Sequence, residues 1–273
     1  MLLFRTANIL FFVTIWSNFV VDYKFKNVPV KPAAEKIAIA RQLQAKINAM
    51  QGLGKISGEP ADAGFAPFAA AFPANTFPTA AIHEFISYEP ASAAATSGFI
   101  GAITGKLMKE GSICLWISGS IKIFPFGLQY FGLTPDRVVF INAPRPKEAL
   151  WIIEEALKCE ALTAVIGEIK ELSFSDSRRL QLAVERSGVT ALIHRHCPVS
   201  ENAVACTTRW KITPLPGFAE EGLPGVGHPG WDVQLVKVRN GRPHSWQVHW
   251  SAKCFAPLTD TAIITTINER FTG

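Results

Sequence analysis

The chain has no C-x-x-C pair, no H-E-x-x-H, no G-x-S-x-G and no G-x-x-x-x-G-K-[ST]. These absences remove zinc ribbons, zincin-type metalloproteases, the serine-hydrolase elbow and the phosphate loop of nucleotide-hydrolysing proteins. Its five cysteines, Cys114, Cys159, Cys197, Cys206 and Cys254, are odd in number and widely spaced. Such usage argues against a disulfide framework and for reduced, buried thiols in a cytoplasmic protein. Charge is sparse, at 18% of residues, with a formal net value of +5. So mild an excess permits contact with nucleic acid without arguing for it. An uninterrupted membrane-length run is also missing. Ile9–Val13 through Val21 is apolar, but Thr14, Ser17 and Asn18 break it, and it falls short of the roughly 20 residues of a spanning helix. No small-x-small cleavage site precedes Asp22. Residues 1–30 are therefore expected to be an apolar leader outside the native fold, with the true start near Val28 or Val30, and no membrane association.

Hydrophobic residues, by contrast, make up 48% of the 273 positions, ample for a large core. Their order is most telling across residues 136–196. Val138–Ile141, Ala161–Ile166 and Val189–Ile193 are short apolar runs without polar alternation, as expected of strands covered on both faces. Between them Lys147–Cys159 and Ser177–Ser187 repeat apolar residues at helical spacing. Strand, helix, strand, helix, strand closes as a parallel sheet with right-handed crossovers. Ligands of such sheets bind at the carboxyl ends of the strands. Those ends read Asn142-Ala143-Pro144, Gly167-Glu168 and His194-Arg195-His196.

The flanks extend this pattern. Residues 31–51 form an Ala/Lys/Gln-rich helix with a narrow apolar stripe, suited to packing on its own domain or to a partner. Residues 52–64 are a Gly-rich linker, and Phe65–Pro78 reads as an irregular aromatic segment lying on a hydrophobic surface. Ala80–Ser87 and Ser112–Ser118 are strands around a small-residue helix, Ala91–Lys109, entered through Ser92. After His196, Thr207–Thr213, Trp231–Arg239 and Ser245–Trp250 alternate as half-exposed antiparallel strands do. Gly217–Gly230 is a loop, and Asn240-Gly241 is a hairpin signal because both residues tolerate positive φ.

Taken in order, FPTAAIHEFIS (77–87), AAATSGFIGAI (93–103), EEALKCEALTAVIGEI (154–169), SRRLQLAVERSGVTALI (177–193), TRWKI (208–212) and RPHSWQVHW (242–250) resemble the ImuA family of inducible-mutagenesis proteins. That family is itself similar to the RecA recombinase core and to SulA-like proteins. The resemblance covers about residues 31–252. It implies a RecA-like three-layer α/β fold: a parallel central sheet, helices on both faces and an antiparallel C-terminal flank. The core domain is expected over 65–252, with 253–273 as a tail.

Set against RecA, the nucleotide machinery is missing from the sequence. The turn after Ile82–Ile86 reads Ser87-Tyr88-Glu89-Pro90-Ala91-Ser92, without glycine or lysine. Gly101–Leu107 imitates a phosphate loop but is one residue short, ends in Leu and lies inside a helix. Where RecA proteins carry F-I-D-A-E, this chain carries Phe140-Ile141-Asn142-Ala143-Pro144, and proline cannot act as a base. Glu168 stands at the position of a Walker-B carboxylate, where pairing with a nearby cation is the simpler role. No catalytic residue, cofactor or metal site is expected. His194 and His196 share a strand face, but Cys197 does not join them and no second ligand pair with zinc spacing is near. His83-Glu84 sits in a strand, not the helix of a zincin motif.

The resemblance thus implies a non-catalytic accessory protein of SOS-induced, error-prone lesion bypass. Its partners would be ImuB, a Y-family polymerase-like adaptor, a DnaE-type error-prone polymerase and RecA. Two other readings stay open: a RecA-like DNA-dependent ATPase or recombinase, and a SulA-like inhibitor of cell division. If DNA is touched, the candidate contacts are Arg178, Arg179, Arg209, Lys211, Lys237, Arg239 and Arg242, provided their faces coincide as a basic strip. The connections Gly167–Asp176 and Cys197–Ala205 are short for the DNA loops of RecA. Trp231, Trp246, Trp250 and Phe255 are candidates either for core and edge cover or for an aromatic partner surface.

Overall fold

A computed structural model describes residues 37–40, 42, 43, 46, 65–218 and 227–258. The chain divides into two units, 1–47 and 48–273. In the first, the described residues between 37 and 46 are helical, as the apolar stripe requires. The leader expected over 1–30 and the linker over 52–64 lie outside the described residues.

Among the described residues of the second unit, nine strands form one sheet: β1 Ile82–Ser87, β2 Ile113–Ser118, β3 Val138–Asn142, β4 Leu162–Ile169, β5 Thr190–His196, β6 Thr208–Phe218, β7 His228–Val238, β8 His244–Ser251 and β9 Cys254–Pro257. Their spatial order is β3-β2-β4-β5-β1-β6-β7-β8-β9. All pairings from β3 to β6 are parallel, and those from β6 to β9 are antiparallel. The sheet is α/β, mixed, and consistent with a RecA-like fold. Among the described residues no helix is long and apolar enough to cross a membrane.

Three α-helices cover the sheet: α1 Pro90–Leu107, α2 Pro146–Leu157 and α3 Phe174–Ser187. Alternation along the strands divides the core between the two faces. On one, Phe85, Trp116, Ile166 and Leu192 meet Phe99, Ile100 and Ile103 of α1. On the other, Ile117, Val165, Ala191 and Ile193 meet Ile153 and Leu157 of α2 and Leu180 and Val184 of α3. Helix α3 starts three residues before the expected Ser177, because Ser173 caps it, its Oγ accepting from the Asp176 N–H at 3.0 Å. Helix α1 starts earlier than expected: Glu89 is the cap residue, Pro90 opens the first turn, and Ser92 lies inside it.

Several boundaries need correction. Strand β6 is not wholly antiparallel, because it pairs parallel with β1 on one side and antiparallel with β7 on the other. The 217–230 loop is shortened at both ends by β6 and β7, and residues 219–226 lie outside the described residues. The core does not stop at 252 either, since β9 continues the sheet and carries the buried Phe255. The aromatic segment at 65–78 does lie on a hydrophobic surface. Phe65, Phe68, Phe72 and Phe77 are all buried, and Phe68 packs edge-on against Phe99 and Trp210. Its Ala71 carbonyl accepts from Arg242 N–H at 3.0 Å and crowds Gly241 so closely that a Cβ there would overlap it. That close approach explains the glycine of the turn. Positive φ is found only at its neighbour, Asn240.

Candidate functional site

The carboxyl ends of β1, β2, β4 and β5 come together on the α1 face. Glu168 of β4 stands beside His194 of β5 in the parallel register, and Ser87 of β1 stands beside His196. Alternation puts His194 and His196 on the same side, with ring centroids 3.7 Å apart. One ligand-type atom from each of Glu168, His194 and His196 lies within 4.8 Å of the others.

The carboxylate is held from behind. Trp116 Nε1 donates to Oε1 of Glu168 at 2.9 Å, and Ser118 Oγ donates to Oε2 at 2.7 Å. His196 Nε2 lies 3.8 Å from Oε2. Ser87 Oγ and His194 Nε2 are 2.9 Å apart, so that ring is oriented too. His194 Nδ1 and His196 Nε2 are buried and lack any hydrogen-bond partner. Burial pushes the His194 imidazolium well below its usual range, and the neighbouring His196 adds to the effect. Burial also lowers His196, opposed by Glu168 and assisted by Lys122. Both rings are therefore neutral near pH 7.

Glu168 and His196 border two clefts. One, of about 430 Å³, runs along the start of α1 and is lined by Ala93, Ala94, Phe124, Leu128 and Phe131 with Lys122 at its side. The other, of about 620 Å³, runs past Ser120, Pro144 and Lys147 towards Lys170 and Glu171. The first lies where a RecA-like sheet would hold triphosphate, yet its wall is mostly apolar and the α1 turn offers no glycine cradle. At the end of β3, Asn142-Ala143-Pro144 presents no carboxylate, and Ala143 N–H is bonded to the Ser118 carbonyl.

On the opposite face lies a second polar cluster. Glu84 and Arg195 are both fully buried and joined at 2.8 Å, and Arg209 Nε reaches the other oxygen of Glu84 at 2.6 Å. Arg195 also donates to the Ser200 carbonyl at 3.1 Å and faces Glu171 at 3.4 Å. The sequence reading set Glu84 aside with His83 and left Arg195 unassigned. A lone charge between apolar strand positions was the available signal, because such a charge must be paired across the sheet.

Several of the candidate DNA contacts already have partners within the fold. Arg209 is committed to Glu84 and to the Glu201 and Asn202 carbonyls. Lys211 pairs with Glu201 at 2.7 Å, and Lys237 donates to the Val204 carbonyl at 3.2 Å. On α3, Arg179 pairs with Glu154 and Arg178 donates to Gln181 Oε1 at 3.0 Å. Arg242 is exposed and Arg239 half-buried beside the β7–β8 turn. Arg209 and Lys211 are thus engaged by the protein's own carboxylates, and Arg209 and Lys237 by its carbonyls, while Arg209 and Lys237 stand opposite each other in the β6–β7 register.

The aromatic candidates pack within the fold as well. Trp231, Trp250 and Phe255 are 2%, 1% and 4% exposed. Phe255 packs against Trp231, Trp250, Phe68 and Phe99, and Trp246 packs on Phe68. Of the two readings open to them, core and edge cover fits Trp231, Trp250 and Phe255, while Trp246 is half-buried at the edge of that core. The cysteines are all free; Cys114 and Cys206 are buried, which raises their thiols to about 12 and about 11, while Cys159 and Cys197 are exposed.

No family model matches the chain. Among curated proteins it is similar to Protein ImuA of Caulobacter vibrioides, strains NA1000 / CB15N and ATCC 19089 / CIP 103742 / CB 15. In each case identity is 29% over 187 residues, covering 64% of this chain and 77% of the relative. That likeness, together with a mixed α/β sheet of the expected element order, supports membership of the ImuA family.

Proposed function

We propose that the protein is a non-catalytic accessory factor of the ImuA/ImuB mutagenesis system, acting in error-prone DNA repair as a scaffold. In this reading it binds ImuB and supports a DnaE-type polymerase. The observation that carries it is the β1–α1 turn. Triphosphate binding on such a sheet needs a run of backbone amides with a lysine. Here Ser87–Ser92 supplies neither glycine nor lysine, Pro90 removes an amide, and the adjoining cleft is walled by Ala93, Phe124, Leu128 and Phe131. With Lys122 at its side but no run of amides, that cleft lacks the cradle a triphosphate needs, and contact through surfaces is the activity proposed in its place. The likeness to ImuA proteins gives the direction of that contact. With Trp231, Trp250 and Phe255 buried, partner contact falls to other parts of the chain, residues 31–51 and 259–273 among them.

Co-expression of the full chain with ImuB, followed by size-exclusion chromatography with and without Mg·ATP, tests the reading. The expected result is co-elution that nucleotide does not alter. Separate elution, together with ATP hydrolysis stimulated by single-stranded DNA, would reverse it in favour of a recombinase-type ATPase.

A further inference from the structure

We propose that Glu168, His194 and His196 form a binding site for a divalent first-row transition-metal ion, Zn²⁺ by donor chemistry, with its remaining position open to the clefts. The inference is independent of the scaffold reading, since the site would bind its ion whether or not ImuB is the partner. Two imidazoles and one carboxylate are a donor set used by zinc sites that keep an open position. The sequence reading found only the histidine pair, because the third donor comes from a neighbouring strand through the Glu168–His194 register.

Four observations converge on the site. The donors are mutually within 4.8 Å. A tetrahedral ion with bonds of roughly 2.1 Å needs about 3.4 Å between donors, so closure takes no more than about 1.4 Å of side-chain movement. His194, fully buried, carries a nitrogen with no hydrogen-bond partner, as does His196. An orphaned nitrogen beside a carboxylate is costly without a proton or an ion to satisfy it. The supporting groups are already in place: Trp116 and Ser118 orient the carboxylate, and Ser87 engages the second nitrogen of His194. Metal ligands characteristically receive such outer hydrogen bonds. Finally, Glu168 and His196 border both clefts, which leaves the remaining position of the ion open. Lys122, exposed at the rim of both clefts, opposes a bare cation and favours an anionic group in the open position.

The test uses the full chain, stripped with a chelator and titrated with ZnCl₂ alone by calorimetry, then with CoCl₂ by visible absorption. One equivalent of Zn²⁺ and cobalt d–d bands of a low-symmetry nitrogen/oxygen site are expected. His196→Ala should weaken Zn²⁺ binding more than about 100-fold, and Ser118→Ala by about 10- to 100-fold. Circular dichroism confirms that each variant is folded. Should His196→Ala fail to fold, Glu168→Gln, which keeps the side-chain size, serves in its place. Absence of stoichiometric binding overturns the proposal. So does binding unchanged by His196→Ala or Glu168→Gln, or abolished by Cys159→Ser or Cys197→Ser, either of which would move the ion elsewhere.

Discussion

Replacing Glu84 by Gln removes one charge from a site where two guanidinium groups converge. Both Glu84 oxygens are engaged, one by Arg195 at 2.8 Å and the other by Arg209 at 2.6 Å, and neither Glu84 nor Arg195 reaches solvent. Breaking a buried ion pair by neutralising one member destabilises by about 3–5 kcal/mol, because the remaining charge stays desolvated. Arg195 keeps the Ser200 carbonyl and a 3.4 Å approach to Glu171, and Arg209 is 11% exposed with two carbonyls. Those residual partners place the loss at the lower end, about 3 kcal/mol. With a urea m-value of about 2–3 kcal/mol/M, the unfolding midpoint falls by about 1–1.5 M. Combining Glu84→Gln with Arg195→Met should cost less than the sum of the singles by about 1 kcal/mol or more, since the orphaned cation is removed as well. A Glu84→Gln loss below about 1 kcal/mol, or strict additivity in the cycle, would refute the claim that this pair locks β1 to β5.

Two further predictions follow from other buried contacts. His83 is buried, with Nδ1 2.7 Å from Thr208 Oγ1 and Nε2 2.8 Å from the Pro78 carbonyl, and burial lowers its pKa from 6.5 to about 4. The unfolded chain then binds more protons between pH 6.5 and 4, so stability is full above 6.5 and falls by roughly 3 kcal/mol as pH drops to 4. His83→Gln should flatten that slope in urea titrations; an unchanged slope would remove His83 from the explanation. Gly105→Ala should cost about 2–3 kcal/mol, because its Cβ would overlap the Phe131 carbonyl and push α1 off the turn beneath it. Gly98→Ala, whose Cβ meets Phe131 Cζ at an ordinary 3.5 Å, should be neutral or stabilising by up to about 1 kcal/mol. Equal thermal shifts in the two variants would contradict the packing described for α1.

The fold was legible because its signals are local. Short unalternating runs such as Val189–Ile193 mark covered strands, and α2 and α3 carry apolar stripes, whereas α1, rich in small residues and without a side-chain cap, gives no such sign of where it begins. Strand ends were harder to see. Both β4 and β5 run on through Gly167-Glu168 and His194-Arg195-His196, where polar side chains interrupt the hydrophobic signal although the backbone pairing continues. Register lies beyond any single segment. Nothing in Ala164–Ile169 alone says that Glu168 stands beside His194, or in Ile82–Ser87 that Glu84 answers Arg195. Aromatic residues leave both core and surface open in sequence: Trp231, Trp250 and Phe255 fall in the core because β9 and the 65–78 segment close over them.

The proposed scaffold role requires that the sheet leave triphosphate unbound, and equilibrium titration of the full chain with ATP in the presence of Mg²⁺ decides this. No saturable binding is predicted up to about 1 mM, a free energy weaker than about −4 kcal/mol. Saturable binding at micromolar ATP, lost on substitution of Tyr88 or Glu168, would contradict it.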